Sequence, residues 1–150
     1  MPFIIRPAYV TDAPTIVEFN RLLALESEGK VLDPQVLGGG VTAILADPLR
    51  GRYFVAEEKD ELLGQLMITY EWSDWRNGWM WWLQSVYVRV ESRRMGVFRA
   101  LYQHAEDQAR REGNVAGMRL YVEKENRSAQ ATYQKLGFEE IHFDLYQKSL

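Results

Sequence analysis

Apolar positions recur in two rhythms along this chain, every second residue and every third or fourth, and each rhythm predicts its own elements. Phe3-Ile4-Ile5-Arg6 reads as a short strand stopped by Pro7. Thr11 and Asp12 are helix-starting residues with Pro14 tolerated in a first turn, and Ile16, Phe19 and Leu23 follow at helical spacing to about Glu28. Pro34 to Asp47 reads as a short helix that Gly38-Gly39-Gly40 would interrupt. Arg52–Glu57 and Leu62–Trp72 are strands joined through a tight turn at Lys59-Asp60. Asn77-Gly78 turns the chain into a third strand, Trp79–Val90, rich in aromatic and β-branched residues.

Gly96 then opens a helix whose apolar stripe is Phe98, Leu101, Tyr102, Ala105 and Ala109, ending near Glu112-Gly113-Asn114. Val115–Val122 is a strand, Asn126 caps a helix that stops at Gly137, and Phe138 to Tyr146 reads as a final strand or strand pair. The order β-α-α-β-β-β-α-β-α-β predicts an α/β (mixed α+β) domain over residues 1–150, with one central, mostly antiparallel mixed sheet and about four helices.

Composition narrows the function classes. With 150 residues, 47% of them hydrophobic, the chain has the size of one domain with an adequate core. No cysteine is present, which excludes a thiol nucleophile, a thiolate metal site and a disulfide framework. A net charge of −3 argues against nucleic-acid binding. The N-terminus is too poor in apolar residues for a secretory signal, and no apolar run approaches the roughly 18 residues of a membrane span, so a soluble cytoplasmic protein is expected. His104 and His142 lack metal-ligand spacing, and no metal is expected.

The stretch from Val86 to Leu101 carries the clearest chemistry: a buried strand, an Arg-rich turn, a glycine and an amphipathic helix. The first N–H groups of a helix lack internal partners and the helix dipole favours an anion there. Gly96 permits close backbone approach, and Arg93, Arg94 and Arg99 add forked positive charge suited to phosphate.

Arg93-x-x-Gly96-x-Phe98 resembles the Q/R-x-x-G-x-G/A signature of the GNAT superfamily of acetyl-CoA-dependent N-acetyltransferases. Phe98 stands where Gly or Ala is usual, at a position that contributes mainly its backbone N–H. Asn126-x-x-Ala129-x-x-x-Tyr133-x-x-x-Gly137-Phe138 is similar to the superfamily's later helical motif, and its Asn126 and Tyr133, two turns apart, share one helix face. Leu66 to Leu101 most resembles the branch acting on small polyamines: Thr69-Tyr70-Glu71-Trp72 matches a Thr-Tyr-acid stretch of those enzymes, although Gln84 and Ser85 replace their usual acidic pair.

The resemblance implies that the strands Trp79–Val90 and Val115–Val122 splay apart. The pantetheine arm of acetyl-CoA would pair with backbone groups over Val86, Tyr87 and Val88. The pyrophosphate would rest on the N–H groups of Arg94, Met95, Gly96, Val97, Phe98 and Arg99, beside Arg93, and Asn126 would bond the arm or an ordered water. Tyr133 would protonate the leaving thiolate.

An alkylamine near pKa 10.4 must lose a proton before it attacks, at a cost of about 4–5 kcal/mol at neutral pH. Glu71 is the first choice of base, with Asp74 and Glu123 as alternatives. All five Trp fall between Trp72 and Trp82; Trp79 and Trp81 should face one way and Trp82 the other. Trp72, Trp75 and Trp82, with Asp74 and Gln84, are candidates to wall an acceptor pocket by cation–π contact or stacking. The same aromatic cluster also suits the sheet core or a homodimer interface.

The expected function is acetyl transfer from acetyl-CoA to a primary amine of a small molecule. A protein N-terminus or lysine as acceptor, and a non-catalytic acyl-CoA-binding or sensor domain, remain open alternatives.

Overall fold

The structure, a computed structural model, describes residues 2–150. It forms two compact units, the first ending at Leu120 and the second running Tyr121–Leu150.

The first unit is built on a sheet of β1 (Ile4–Pro7), β2 (Arg52–Glu58), β3 (Glu61–Ser73), β4 (Gly78–Val88) and β5 (Val115–Leu120) in that spatial order. The first three pairings are antiparallel and β4–β5 is parallel. Lys59 and Asp60 both adopt left-handed φ, 50° and 65°, which matches the twist of a two-residue hairpin.

Helices α1 (Ala13–Glu28) and α2 (Pro34–Ala46) precede β2, and α3 (Val97–Glu112) joins β4 to β5. Asp12 does not cap α1. Its carboxylate accepts from the N–H of Tyr9 at 2.6 Å and from Arg6 at 2.8 and 3.1 Å, and so ties β1 to the turn before the helix. In α2 the Asp33 side chain accepts from the N–H groups of Gln35 and Val36. The glycine run leaves α2 unbroken, contrary to the interruption expected. The helix is held by tertiary packing of Leu37, Val41, Ile44 and Leu45 on the core, which outweighs the roughly 1 kcal/mol per residue that glycine costs.

One core joins Ile16 and Phe19 of α1, Val41 of α2, and Tyr53, Val55, Leu62 and Tyr87 of the sheet. The opposite sheet face presents Phe54, Leu66 and Ile68 on the side of α3, where Leu101 and Ala105 are buried and His104 meets Phe54 edge-on at 4.8 Å.

The second unit holds α4 (Arg127–Lys135). The strand expected over Phe138 to Tyr146 is not formed among the described residues, and β5 stops at Leu120 rather than Val122. Alternation of Ile141, Phe143 and Leu145 tells which residues would share a face. It supplies no neighbouring strand to satisfy their backbone groups, and β propensity acts only through such pairing.

Candidate active site

β4 loses one of its two partners halfway along. On one side it pairs with β5 only from Trp79↔Val115 to Leu83↔Leu120, so Gln84–Val88 extend past the end of that ladder. On the other side it pairs with β3 throughout, through a bulge: Met67 faces Gln84 and Gln65 faces Tyr87, leaving Ser85 and Val86 opposite Leu66. Ser85 takes φ 50°, a left-handed value uncommon for a residue with a Cβ. Just after the bulge the strands crowd together, since a Cβ on Gly64 would sit 2.8 Å from the Tyr87 carbonyl oxygen.

Buried polar groups lie under this bulge. Gln65, fully buried, donates through Nε2 to the Ser85 carbonyl at 3.0 Å. Asn20 donates to the Ile16 carbonyl and to the Tyr53 hydroxyl at 3.0 and 3.1 Å, and the Ser85 side chain lies beside that hydroxyl. Burial pushes the Tyr53 phenol above its ordinary value, so it stays neutral. Sequence reading missed Asn20, Tyr53 and Gln65. The one signal was a glutamine inside the apolar run Leu62-Leu63-Gly64-Gln65-Leu66-Met67-Ile68.

The Arg89 N–H donates to the Leu63 carbonyl at 2.9 Å, so the two-residue alternation turns the backbone groups of Val88 away from β3. The Val88 carbonyl accepts from Arg93 Nε at 2.9 Å. A carbonyl oxygen has two lone pairs, so Val88 keeps its N–H and one acceptor site on that side. The ring of Tyr87 packs 5.2 Å from Phe19, so its side chain belongs to the core. Arg93 also makes bonds within the fold. Its guanidinium bonds Glu26 at 2.8 Å and lies 5.4 Å over the Tyr87 ring, which makes it a strut between α1 and β4.

The turn into α3 runs through left-handed backbone. Arg94 and Gly96 have φ of 66° and 80°, and Gly96 has no side chain with which to cap the helix. Its carbonyl accepts the first helical bond from Ala100, so the N–H groups of Val97 and Arg99 lie ahead of the first bond of α3. The Phe98 ring leans on Tyr102, centroids 6.3 Å apart, and leaves its backbone N–H at the turn. Arg94 and Arg99 make no ion pair among the described residues.

The proposed acceptor residues divide between two sheet faces. Glu71, Thr69, Trp82 and Gln84 share the face of α1 with Met67, by the pairings Glu71↔Met80, Thr69↔Trp82 and Met67↔Gln84. Glu71 Oε1 accepts from Arg119 at 2.7 Å and from Trp82 Nε1 at 3.2 Å, and Gln84 donates to Thr69 Oγ1 at 2.6 Å. Trp72 is on the other face, edge-on to Trp79 at 5.0 Å, so it shares no wall with Trp82. Asp74 and Trp75 sit in the hairpin turn, where Trp75 is 93% exposed.

In the second unit the Asn126 carboxamide oxygen accepts from the Ala129 N–H at 3.1 Å and caps α4. Tyr133 meets Phe138 edge-on at 5.9 Å, and burial raises its phenol above the ordinary value. Glu123 precedes α4 and is exposed; its carbonyl accepts from Gln130. Among the described residues no group of acidic and histidine side chains could hold a metal ion, and no helix is long and apolar enough to cross a membrane.

Known structures share this fold. The chain is similar to a possible acetyltransferase from Clostridium difficile 630, with 46% identity over 100% of this chain and 99% of that one and a TM-score of 0.93. A probable acetyltransferase matches at 26% identity over 98% and 97% of the two chains, TM-score 0.83. A predicted acetyltransferase with acetyl-CoA from Clostridium acetobutylicum shares the fold at 20% identity over 97% and 96%, TM-score 0.81. No curated protein matches the sequence. The class these relationships define is that of the acyltransferases. Residues 22–138 match the acetyltransferase (GNAT) family, and the chain belongs to that family, whose acetyl donor is acetyl-CoA.

Proposed function

We propose that the whole chain, residues 1–150, acts as one catalytic domain that moves the acetyl group of acetyl-CoA to a primary amine of a small molecule, by direct attack in a ternary complex. The observation that carries this reading is β4 itself. It outruns β5 after Leu83, bulges at Ser85–Val86, and leads into the open N–H groups at the start of α3.

In this reading the pantetheine arm bonds the strand edge at Val86 and Val88, and the pyrophosphate rests on residues 94–99 with Arg94 and Arg99 beside it. The amine approaches on the Glu71 face. Glu71 Oε2 takes no bond from the described residues and receives the proton the ammonium must lose. The amine nitrogen then attacks the thioester carbon, the C–S bond breaks, Tyr133 gives its proton to the sulfur, and the surplus proton on the new amide nitrogen returns to the Tyr133 phenolate. A neutral phenol suits that step, and burial keeps it neutral.

The likeness of Thr69-Tyr70-Glu71-Trp72 to the polyamine branch, with a Trp82 ring beside Glu71, favours a cationic aliphatic amine over a neutral one. The test is release of free coenzyme A thiol from acetyl-CoA with diamines, polyamines, amino acids, aminoglycosides and peptides as acceptors. Amine-dependent thiol release with a small diamine or polyamine is expected. Release with peptides alone would move the acceptor to a protein, and binding of acetyl-CoA with no acceptor at all would make the domain a sensor.

A further inference from the structure

The groups under the bulge have a geometric consequence for the strand edge. The Ser85 carbonyl and the Val86 N–H belong to one peptide unit. None of the described peptide bonds is cis, so these two groups point in opposite directions. Gln65 Nε2 draws that carbonyl into the core. The Val86 N–H is thereby turned away from Gln65. Asn20 holds the Tyr53 hydroxyl, which lies beside the Ser85 side chain, so the residue with the left-handed backbone is gripped at its carbonyl and flanked at its side chain.

We propose that Gln65, with Tyr53 and Asn20, is a positioning residue for acetyl transfer: the three hold the Ser85–Val86 peptide so that the Val86 N–H is aimed at the acyl-pantetheine arm. The inference rests on the reading of the strand edge given above.

The network is an awkward choice for a core that needs only stability. Gln65 is fully buried and its Oε1 has no hydrogen-bond partner. An unpaired buried acceptor is a cost that an apolar side chain of similar volume would avoid. The surroundings, Val55, Leu62 and Tyr87, would accept such a side chain. What an apolar residue cannot do is fix the direction of one peptide plane beside the end of the β4–β5 ladder. No residue of β5 pairs with that plane, so the side chains beneath it orient it.

The experiment compares Gln65→Met and Tyr53→Phe with Ile68→Val. Ile68 is a fully buried control whose register places it on the opposite face of the sheet from Gln65. Each variant is first checked for a folded state by its thermal midpoint. Two readouts follow: hydrogen exchange of the backbone over residues 83–88 without ligand, and kcat and KM for acetyl-CoA at a saturating amine. Gln65→Met and Tyr53→Phe are expected to speed exchange in that segment about tenfold and to lower kcat/KM for acetyl-CoA about tenfold. The control should do neither at a similar loss of thermal midpoint. If both network variants match the control in exchange and in kcat/KM, the proposal is overturned. Should Gln65→Met fail to fold, Tyr53→Phe decides. If the wild-type protein shows no acetyl transfer, the functional reading fails, and the exchange measurement still judges whether these side chains hold the peptide.

Discussion

Arg93 donates through Nε to the Val88 carbonyl at 2.9 Å while its guanidinium bonds Glu26 at 2.8 Å, so one side chain ties the end of β4 to α1. Arg93, which heads the signature motif, therefore bonds within the fold through two of its nitrogens. Arg94 and Arg99 carry the free charge. Arg93→Met should cost about 0.5–1 kcal/mol of stability, since the pair is about 40% exposed, and change coenzyme A affinity less than about threefold. Arg94→Ala and Arg99→Ala should leave the thermal midpoint in place and weaken coenzyme A binding about tenfold, less so at high salt. Calorimetric titration of the three variants settles the ranking, and the reverse order would return Arg93 to the phosphates.

Tyr133 as proton donor predicts that Tyr133→Phe lowers kcat by about 10²–10⁴ while KM for acetyl-CoA moves only a few-fold. Steady-state kinetics at saturating amine separates the two. Unchanged turnover would take the phenol out of the chemistry.

Glu71 on the acceptor side predicts that Glu71→Gln lowers kcat/KM for the amine by about 10², with KM for acetyl-CoA unaltered. Trp82→Phe removes a donor to the same carboxylate and should cost less. Initial rates against amine concentration test both, and an equal effect on the two substrates would argue for a folding defect.

The pH range of stability follows from groups at both ends. Burial alone would raise the Asp12 carboxyl, but bonds from Arg6 and the Tyr9 N–H outweigh it and hold the group below its ordinary value. That stability is present above about pH 4 and is lost as pH falls through the lowered value. Asp12→Asn should cost about 2 kcal/mol at neutral pH and flatten the acid limb of a melting-temperature profile.

At the alkaline end, burial raises the phenols of Tyr53, Tyr87, Tyr102 and Tyr133, four of the eight tyrosines. Their contribution holds below about pH 10 and is lost as pH climbs through the raised values. A phenolate absorbance titration should show these four ionising late, together with unfolding. Simple titration of all eight near pH 10 would contradict the burial.

Local rhythm made much of this fold legible. The stripe of α3, the hairpin at Lys59-Asp60 and the glycine at 96 each announce themselves within a few residues. The bulge does not, because Gln84-Ser85-Val86 reads as ordinary strand and contains no glycine to mark a left-handed φ. Nor could spacing alone tell that Trp72 and Trp82 lie on opposite faces. Each alternates correctly within its own strand, and only the register Trp72↔Trp79 and Thr69↔Trp82 relates the two strands.

By itself the amino-acid order determined most of the elements, the glycine turn into α3 and the resemblance to the family, because capping, glycine φ and apolar period act between near neighbours in the chain. Tertiary structure decided which arginine is free, where β4 parts from β5, and which buried side chains grip Ser85. Those outcomes depend on partners 67 residues apart for Arg93 and Glu26 and 33 for Asn20 and Tyr53, and no local preference encodes such a meeting.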